Sequence, residues 1–378
     1  MKKIKYGMIG GGIGAFIGDA HRRAARLCND FDLVGGVFDV DYEQSKKFAQ
    51  QQEIDLHRCY ETVDLLISSE LQLPADQRME MITIVTPNTL HYPFAKKLLM
   101  NGFNVVCEKP MTITVEEALE LEELVAKTKL TFVLTHTYTG YPMVRQMREL
   151  IANGSIGTVQ RVDAQYYQGW VNAIIHSTDN RIVKFWKLDP AQNGISGCMG
   201  DIGVHAFNLI EYTTGLKVKE LLSDLNTVKE ELKLDVDGTV LLRFDNNQKG
   251  VIRASQVCTG EENDITLGIY GSKGSLKWGQ ENPNYLYMHA LNEPIRTYKP
   301  AHIYNGELAE ASHTMKAGHP EGYYESLANI YKGAGRSIRG EEVKQGEYPT
   351  VHDGVRGMKF IHAVVKSHKT GNTWITID

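Results

Sequence analysis

Residues 4–28 read IKYGMIGGGIGAFIGDAHRRAARLC. A short apolar run passes through a cluster of glycines into a pattern with helical spacing. IKYGMIG reads as a buried strand and DAHRRAARLC as a helix. Inside the cluster Gly10, Gly12 and Ala15 fit G-x-G-x-x-A, with Gly14 between them. Glycine there lets the backbone turn sharply and approach a pyrophosphate. The helix that follows offers free N–H groups and a partial positive charge. Gly11, Gly14 and Gly18 exceed what the pattern needs, so the helix can start near Gly14 or near Gly18.

Outward from this stretch, the first third alternates short apolar runs with helical patterns. DLVGGVFD, MITIVTP, NVVCEKP and TFVLTH read as strands; YEQSKKFAQQ, ETVDLLISSE, HYPFAKKLLMNG and TVEEALELEELVAKT read as helices. Such alternation implies parallel strands joined by right-handed crossovers, a doubly wound α/β domain. Asp39 ends the second strand, where a carboxylate accepts from the ribose hydroxyls of a dinucleotide and repels a 2′-phosphate. With no Lys or Arg between Asp39 and Ser45, NAD is expected over NADP. The rhythm changes near Gly157. TVQRVDAQYY, GTVLLRF, KGVIRASQV and ITLGIYG are longer strand-like runs, several separated by turn signals, as in a mostly antiparallel sheet. We expect a nucleotide-binding domain over 1–137 and a substrate-binding and oligomerisation domain over 138–378, with the C-terminal helix able to pack back on the first.

Two strand ends carry further chemistry. In VTPNTLH, residues 85–91, Thr86, Pro87, Asn88 and His91 fall where a parallel sheet receives its ligand, and Pro87 and Asn88 could edge the nicotinamide half. A proline turn with Asn88 as a helix cap is the plainer reading. In CEKP, Glu108 and Lys109 close the next strand. A lysine ending a buried strand needs a polar cavity for its charge. Then GDIGVH, residues 200–205, places Asp201 and His205 one turn apart. This is a cap followed by a packed histidine, or an acid orienting a proton acceptor tuned near neutral pH.

The bulk numbers exclude several classes. The chain has 378 residues, 42% hydrophobic and 23% charged, with a net charge of −5 and no basic run to suit nucleic acid. Five scattered cysteines without a C-x-x-C pair fit a reducing, cytoplasmic setting. No apolar window reaches the roughly 20 residues of a membrane span. No histidine grouping has metal-ligand spacing, so no metal is expected. No G-x-S-x-G elbow marks a serine hydrolase.

With the glycine loop, TPNTLH, EKP, MRELIANGSIGTV and the D-x-x-x-H helix start in order, the chain resembles the Gfo/Idh/MocA oxidoreductases. The resemblance implies an N-terminal Rossmann domain and a C-terminal α/β domain with a large, mostly antiparallel open sheet. It implies oxidation or reduction of a secondary alcohol on a sugar or cyclic polyol with NAD or NADP. It also implies dimers or tetramers packed through that sheet. Lys109 matches the family's active-site lysine, and Asp201 and His205 its acid–histidine pair. THTYTGYP, QYYQGW and GHPEGYYE look like the branch with levoglucosan, glucoside and some inositol dehydrogenases. The glycine loop departs from the family by a few extra residues before His21. Tyr138, Tyr141, Gln168, Trp170 and, in KFWKLDP, Trp186 are candidates for holding a sugar ring, with packing as the alternative. Two other activities are known on this scaffold. One is a glycosidase that oxidises its substrate transiently on retained NAD; the other is a non-catalytic nucleotide or sugar sensor.

Overall fold

The computed structural model describes residues 2–176, 186–245 and 247–377. The chain divides into two compact units. The first comprises 1–112, 116–137 and 324–355; the second comprises 113–115, 138–323 and 356–378.

In the first unit the strands are β1 (Ile4–Gly10), β2 (Phe31–Val37), β3 (Met81–Val85), β4 (Asn104–Cys107) and β5 (Phe132–Leu134), in the order β2-β1-β3-β4-β5. The pairs are parallel. The central β3, MITIV, is buried at all five positions, the continuous apolar run expected of a strand covered on both faces. The connecting helices are α1 (Phe16–Leu27), α2 (Tyr42–Gln51), α3 (Val63–Gln72), α4 (His91–Met100) and α5 (Val115–Thr128). Asp41 caps α2 by accepting from the N–H groups of Glu43 and Gln44, and Thr62 caps α3 through Leu65 N–H. The strand order reverses between β1 and β3. The loops leaving the carboxyl ends of these two strands are therefore neighbours, the place where open α/β sheets bind ligands.

The second unit opens with α6 (Pro142–Ala152), β6 (Val159–Tyr167), α7 (Trp170–Ile175), α8 (Pro190–Asn193) and α9 (Val204–Thr214). Then follow β7 (Val218–Asn226), β8 (Asp237–Phe244), β9 (Lys249–Ser255), β10 (Asp264–Gly271), β11 (Gly274–Gly279), β12 (Leu286–Ala290), β13 (Arg296–Tyr298) and α10 (Glu307–Glu310). With β14 (Ile375–Thr376) they form a nine-stranded sheet ordered β13-β12-β11-β10-β6-β9-β8-β7-β14. Among the described residues of this sheet, only β6 and β9 pair in parallel. The central strands β8 and β10 alternate buried with half-buried or exposed residues, as a sheet covered on one face should. Helix α9 is buried from Val204 to Thr213, so it lies within the core, apolar around most of its circumference. It stops at Gly215, which takes φ +70.

The last helices are α11 (Tyr323–Ile338) and α12 (Val351–Lys369). Residues 324–355 cluster with the first unit, so α11 belongs to the Rossmann core despite lying almost 200 residues beyond β5 in the sequence. No helix among the described residues is long and apolar enough to cross a membrane.

Candidate active site

The first unit carries a dinucleotide cradle. Gly10 ends β1 at φ +82 opposite Val85 of β3, and a Cβ there would lie 2.8 Å from the Val85 carbonyl oxygen. Helix α1 begins at Phe16 with no side-chain cap at Ala15. The close helix–strand approach that the fingerprint's last small residue allows falls to Gly18, not Ala15: a Cβ on Gly18 would sit 2.3 Å from the Cα of Gly11. The loop is thus three residues longer than G-x-G-x-x-G, and Gly14 stands in its open part at φ +77 with nothing near it. Asp39 is not a helix cap, since Asp41 does that work. Its Oδ1 accepts from Asp41 N–H at 3.0 Å, and its Oδ2 lies 3.7 Å from where a Cβ on Gly12 would be. Among the described residues, Thr86 Oγ1, just past β3, is buried with no hydrogen-bond partner. Close backbone, an oriented carboxylate and an unmatched hydroxyl at the switch point together fit a dinucleotide. The glycine loop and helix start would hold the pyrophosphate and Asp39 the adenosine ribose; bound NAD supplies a hydride acceptor.

His91 faces two backbone carbonyls. Its ring nitrogens lie 2.7 Å from the Pro110 carbonyl and 2.9 Å from the Thr86 carbonyl, and the neutral ring donates its one N–H to one of the two. Asn88 is buried beside it, behind Pro87. Glu108 also faces inward. Its carboxylate accepts from His21 Nε2 at 2.9 Å, Thr135 Oγ1 at 2.5 Å and Lys109 N–H at 3.2 Å. Burial pushes Glu108 up, but the His21 hydrogen bond, the Lys109 ammonium and the Thr135 hydrogen bond outweigh it and leave its pKa below the usual carboxylate value. Lys109 is half-buried next in the chain.

In the second unit, Asp201 lies in a π-helical turn, Met199–Gly203, that leads directly into α9 and His205. The Asp201 carboxylate takes Lys187 Nζ on both oxygens, at 3.0 and 2.8 Å, and Gln256 Nε2 at 2.9 Å. Trp170 and Trp186 flank Lys187, each ring centroid 5.9 Å from Nζ. The turn is pinned from beneath by Asp235. That fully buried carboxylate accepts from Ser196 Oγ, Gly197 N–H and Met199 N–H, each at 2.8 Å.

Tyr138 and Tyr166 wall in the His205 ring, with centroids 4.9 and 6.3 Å away. The Tyr138 hydroxyl is hydrogen-bonded to Tyr166 and takes Asn263 Nδ2 at 3.1 Å, and the residue is 4% exposed. Tyr141 is buried against Trp278. Gln168 donates to Asn263 and accepts from Trp170 Nε1. Of the candidate sugar-holding residues, then, Trp170 and Trp186 flank the Lys187 that meets Asp201, Tyr138 and Tyr141 are buried, and Gln168 is half-buried beside Trp170.

Residues 4–147 match the model of an oxidoreductase family with an NAD-binding Rossmann fold, and residues 144–277 match that of the GFO/IDH/MocA C-terminal domain. An uncharacterised oxidoreductase of Bacillus subtilis, YfiI, is 30% identical over 99% of this chain and 97% of its own. The chain belongs to the Gfo/Idh/MocA family. Levoglucosan dehydrogenase of Pseudarthrobacter phenanthrenivorans is 28% identical over 62% of this chain and 65% of its own. The solved structure of an inositol dehydrogenase homologue from Azotobacter vinelandii, in complex with NADH and myo-inositol, is 29% identical. It superposes with a TM-score of 0.90 over 99% of this chain and 98% of that one. The protein is an NAD-binding oxidoreductase of the Gfo/Idh/MocA family with sugar and polyol dehydrogenases among its relatives.

Several residues of the Asp201 grouping escaped the reading of sequence alone. Lys187 had a local signal, a lysine directly after Trp186 in KFWKLDP. Gln256 and Asp235 had none, because they reach the Asp201 turn from 55 and 36 to 39 residues away. His136 is a further buried group of the first unit. Burial, with the Lys109 ammonium adding to it, lowers its pKa to about 3. An unfolded histidine binds its proton near about pH 6.5, so between those values the unfolded chain holds the extra proton. Stability contributed by neutral His136 is full above that window and is lost as pH falls through it; buried His91 acts in the same direction. Unfolding free energy in urea should drop by about 2 kcal/mol from about pH 7 to about pH 5, with a smaller drop in His136→Gln. An equal drop in that variant would remove His136 as the cause.

Proposed function

We propose that this chain is an NAD-dependent dehydrogenase that oxidises a secondary alcohol of a sugar, anhydrosugar, glycoside or cyclic polyol. The observation that carries the reading is the grouping around Asp201: a carboxylate and an ammonium in contact, two indole faces, and His205 one turn on. A carboxylate accepts from a hydroxyl, an ammonium donates to one, and an indole face packs on ring C–H groups. That is the chemistry of a polyhydroxylated ring without net charge. His205 accepts the proton of the reacting hydroxyl as the hydride leaves its carbon, and Lys109 donates a hydrogen bond to the same oxygen as negative charge grows on it. The reading therefore requires Lys109 of the first unit and His205 of the second to meet one substrate oxygen. Asp201 orients the ring through a neighbouring hydroxyl. Assembly of two or four copies through the outer face of the nine-stranded sheet belongs to the same reading.

The test follows NADH absorbance with the purified protein and NAD against myo-inositol and other inositols, levoglucosan, D-glucose and glycosides. Net NADH with at least one is expected. Aglycone release without net NADH marks the transient-oxidation glycosidase, and tight NAD binding with no reaction marks a sensor.

Preference for NAD over NADP rests on Asp39. Asp39→Ser should weaken NADH binding about tenfold or more, the value of hydrogen bonds to a charged group, and narrow the gap to NADPH. Fluorescence titration with both cofactors reads this, and an unchanged ratio removes Asp39 from cofactor choice.

A further inference from the structure

A chain of buried polar side chains crosses the first unit behind the cradle. Tyr331 of α11 places its hydroxyl 3.0 Å from Thr83 Oγ1 in β3 and 2.8 Å from His21 Nδ1 in α1. His21 Nε2 lies 2.9 Å from Glu108 Oε1, and Glu108 Oε2 accepts the N–H of Lys109. Four side chains from β3, α11, α1 and the end of β4 thus connect in series. They end on the backbone of the residue whose ammonium the proposed reaction uses.

We infer that Tyr331 and His21 are positioning residues for cofactor binding: they hold Glu108, and through it the backbone of Lys109, in the orientation that receives the nicotinamide half of NAD. The inference rests on the reading that Lys109 lies at that end of the cofactor.

The chain is not what fold stability alone would select. Tyr331 and His21 are fully buried, and their rings meet edge to face with centroids 5.7 Å apart. Phe31 packs on Tyr331 in the same way at 5.3 Å. Apolar residues of similar shape would fill this space without the desolvation cost of a hydroxyl and an imidazole. The polar chain fixes direction instead. Glu108, held below the usual carboxylate pKa, is an acceptor, so His21 donates to it through Nε2. Burial keeps the Tyr331 phenol well above its usual pKa and therefore un-ionised. The ring of His21 cannot turn without losing one partner or the other. Thr135 closes the other side of the Glu108 carboxylate. A carboxylate gripped at this many points presents its remaining contact, the Lys109 N–H, in one orientation.

The test separates the two halves of the cofactor. Binding of NADH and of ADP-ribose, which lacks nicotinamide, is measured by titration calorimetry on the full-length wild type, Tyr331→Phe, His21→Leu and His21→Gln, with thermal melting as a check on folding. Tyr331→Phe keeps the ring and removes only the hydroxyl. It should weaken NADH about three- to tenfold, and His21→Leu about tenfold or more, while ADP-ribose changes less than about twofold. His21→Gln, whose amide can still donate to Glu108, should recover most of the NADH affinity. Equal weakening of both ligands in Tyr331→Phe would indicate a general structural role and overturn the inference, as would unchanged binding of both. Wild-type protein that binds neither ligand overturns the cofactor reading and this inference together.

Discussion

His205→Asn should lower kcat about a hundred- to ten-thousandfold and leave NADH affinity unchanged within about twofold. The imidazole in this account does one thing, accepting the hydroxyl proton as the hydride leaves. It lies in the second unit, on the buried helix α9, and is walled by Tyr138 and Tyr166. Asparagine keeps polarity at the position but cannot accept a proton near neutral pH. The residual rate of the variant should therefore climb with pH as solvent base takes over, and the wild-type rate should level off. Steady-state NADH formation across pH, with fluorescence titration of NADH, checks both statements. A variant with full turnover, or one that has lost NADH binding in proportion, would remove His205 as the base.

Lys109→Ala should lower kcat about a hundred- to thousandfold. Here the loss comes from charge stabilisation. In the proposed reaction the ammonium meets an oxygen that becomes more negative as the carbon–hydrogen bond breaks, so its interaction is stronger in the transition state than in the ground state. KM should change far less than kcat. No dependence of residual rate on solvent base is expected, because His205 is still present, and this distinguishes the two variants. The sequence neighbour Glu108 provides a built-in comparison, since its carboxylate is committed to His21, Thr135 and the Lys109 N–H.

Much of the fold was legible from local pattern. Buried parallel strands such as MITIV read as continuous apolar runs, and the glycine cluster after β1 marked the switch point. Asp39 and Asp41 stand two residues apart, and the structure has Asp41 cap α2 while Asp39 accepts the Asp41 N–H. The glycine loop shows the limit of local pattern. Gly10, Gly12 and Ala15 fit the fingerprint by spacing, yet the helix packs on the loop through Gly18, a choice settled by interatomic approach and invisible to spacing.

Side-chain partners that are distant in sequence were not legible. His91 and Tyr138 sit in motifs that invite a ligand, but their polar atoms are satisfied by Pro110, 19 residues on, and Tyr166, 28 residues on. GDIGVH read as a helix start, with Asp201 either its cap or an acid orienting a proton acceptor. In the structure Asp235 takes the N–H groups there, and Asp201 turns to Lys187 and Gln256. Nothing within one helical turn of Asp201 announces any of those partners. Tyr331 reaches His21 across 310 residues, a contact that only the return of α11 to the first unit creates.

The central claim is that one substrate oxygen meets both Lys109 and His205. A crystal structure of the ternary complex, with NADH and a polyol such as myo-inositol, measures it directly. The account predicts a single ring hydroxyl within about 3.2 Å of both Lys109 Nζ and a His205 ring nitrogen, with its carbon facing the nicotinamide. A polyol bound with those two groups on different oxygens, or with His205 turned away from it, would contradict the account.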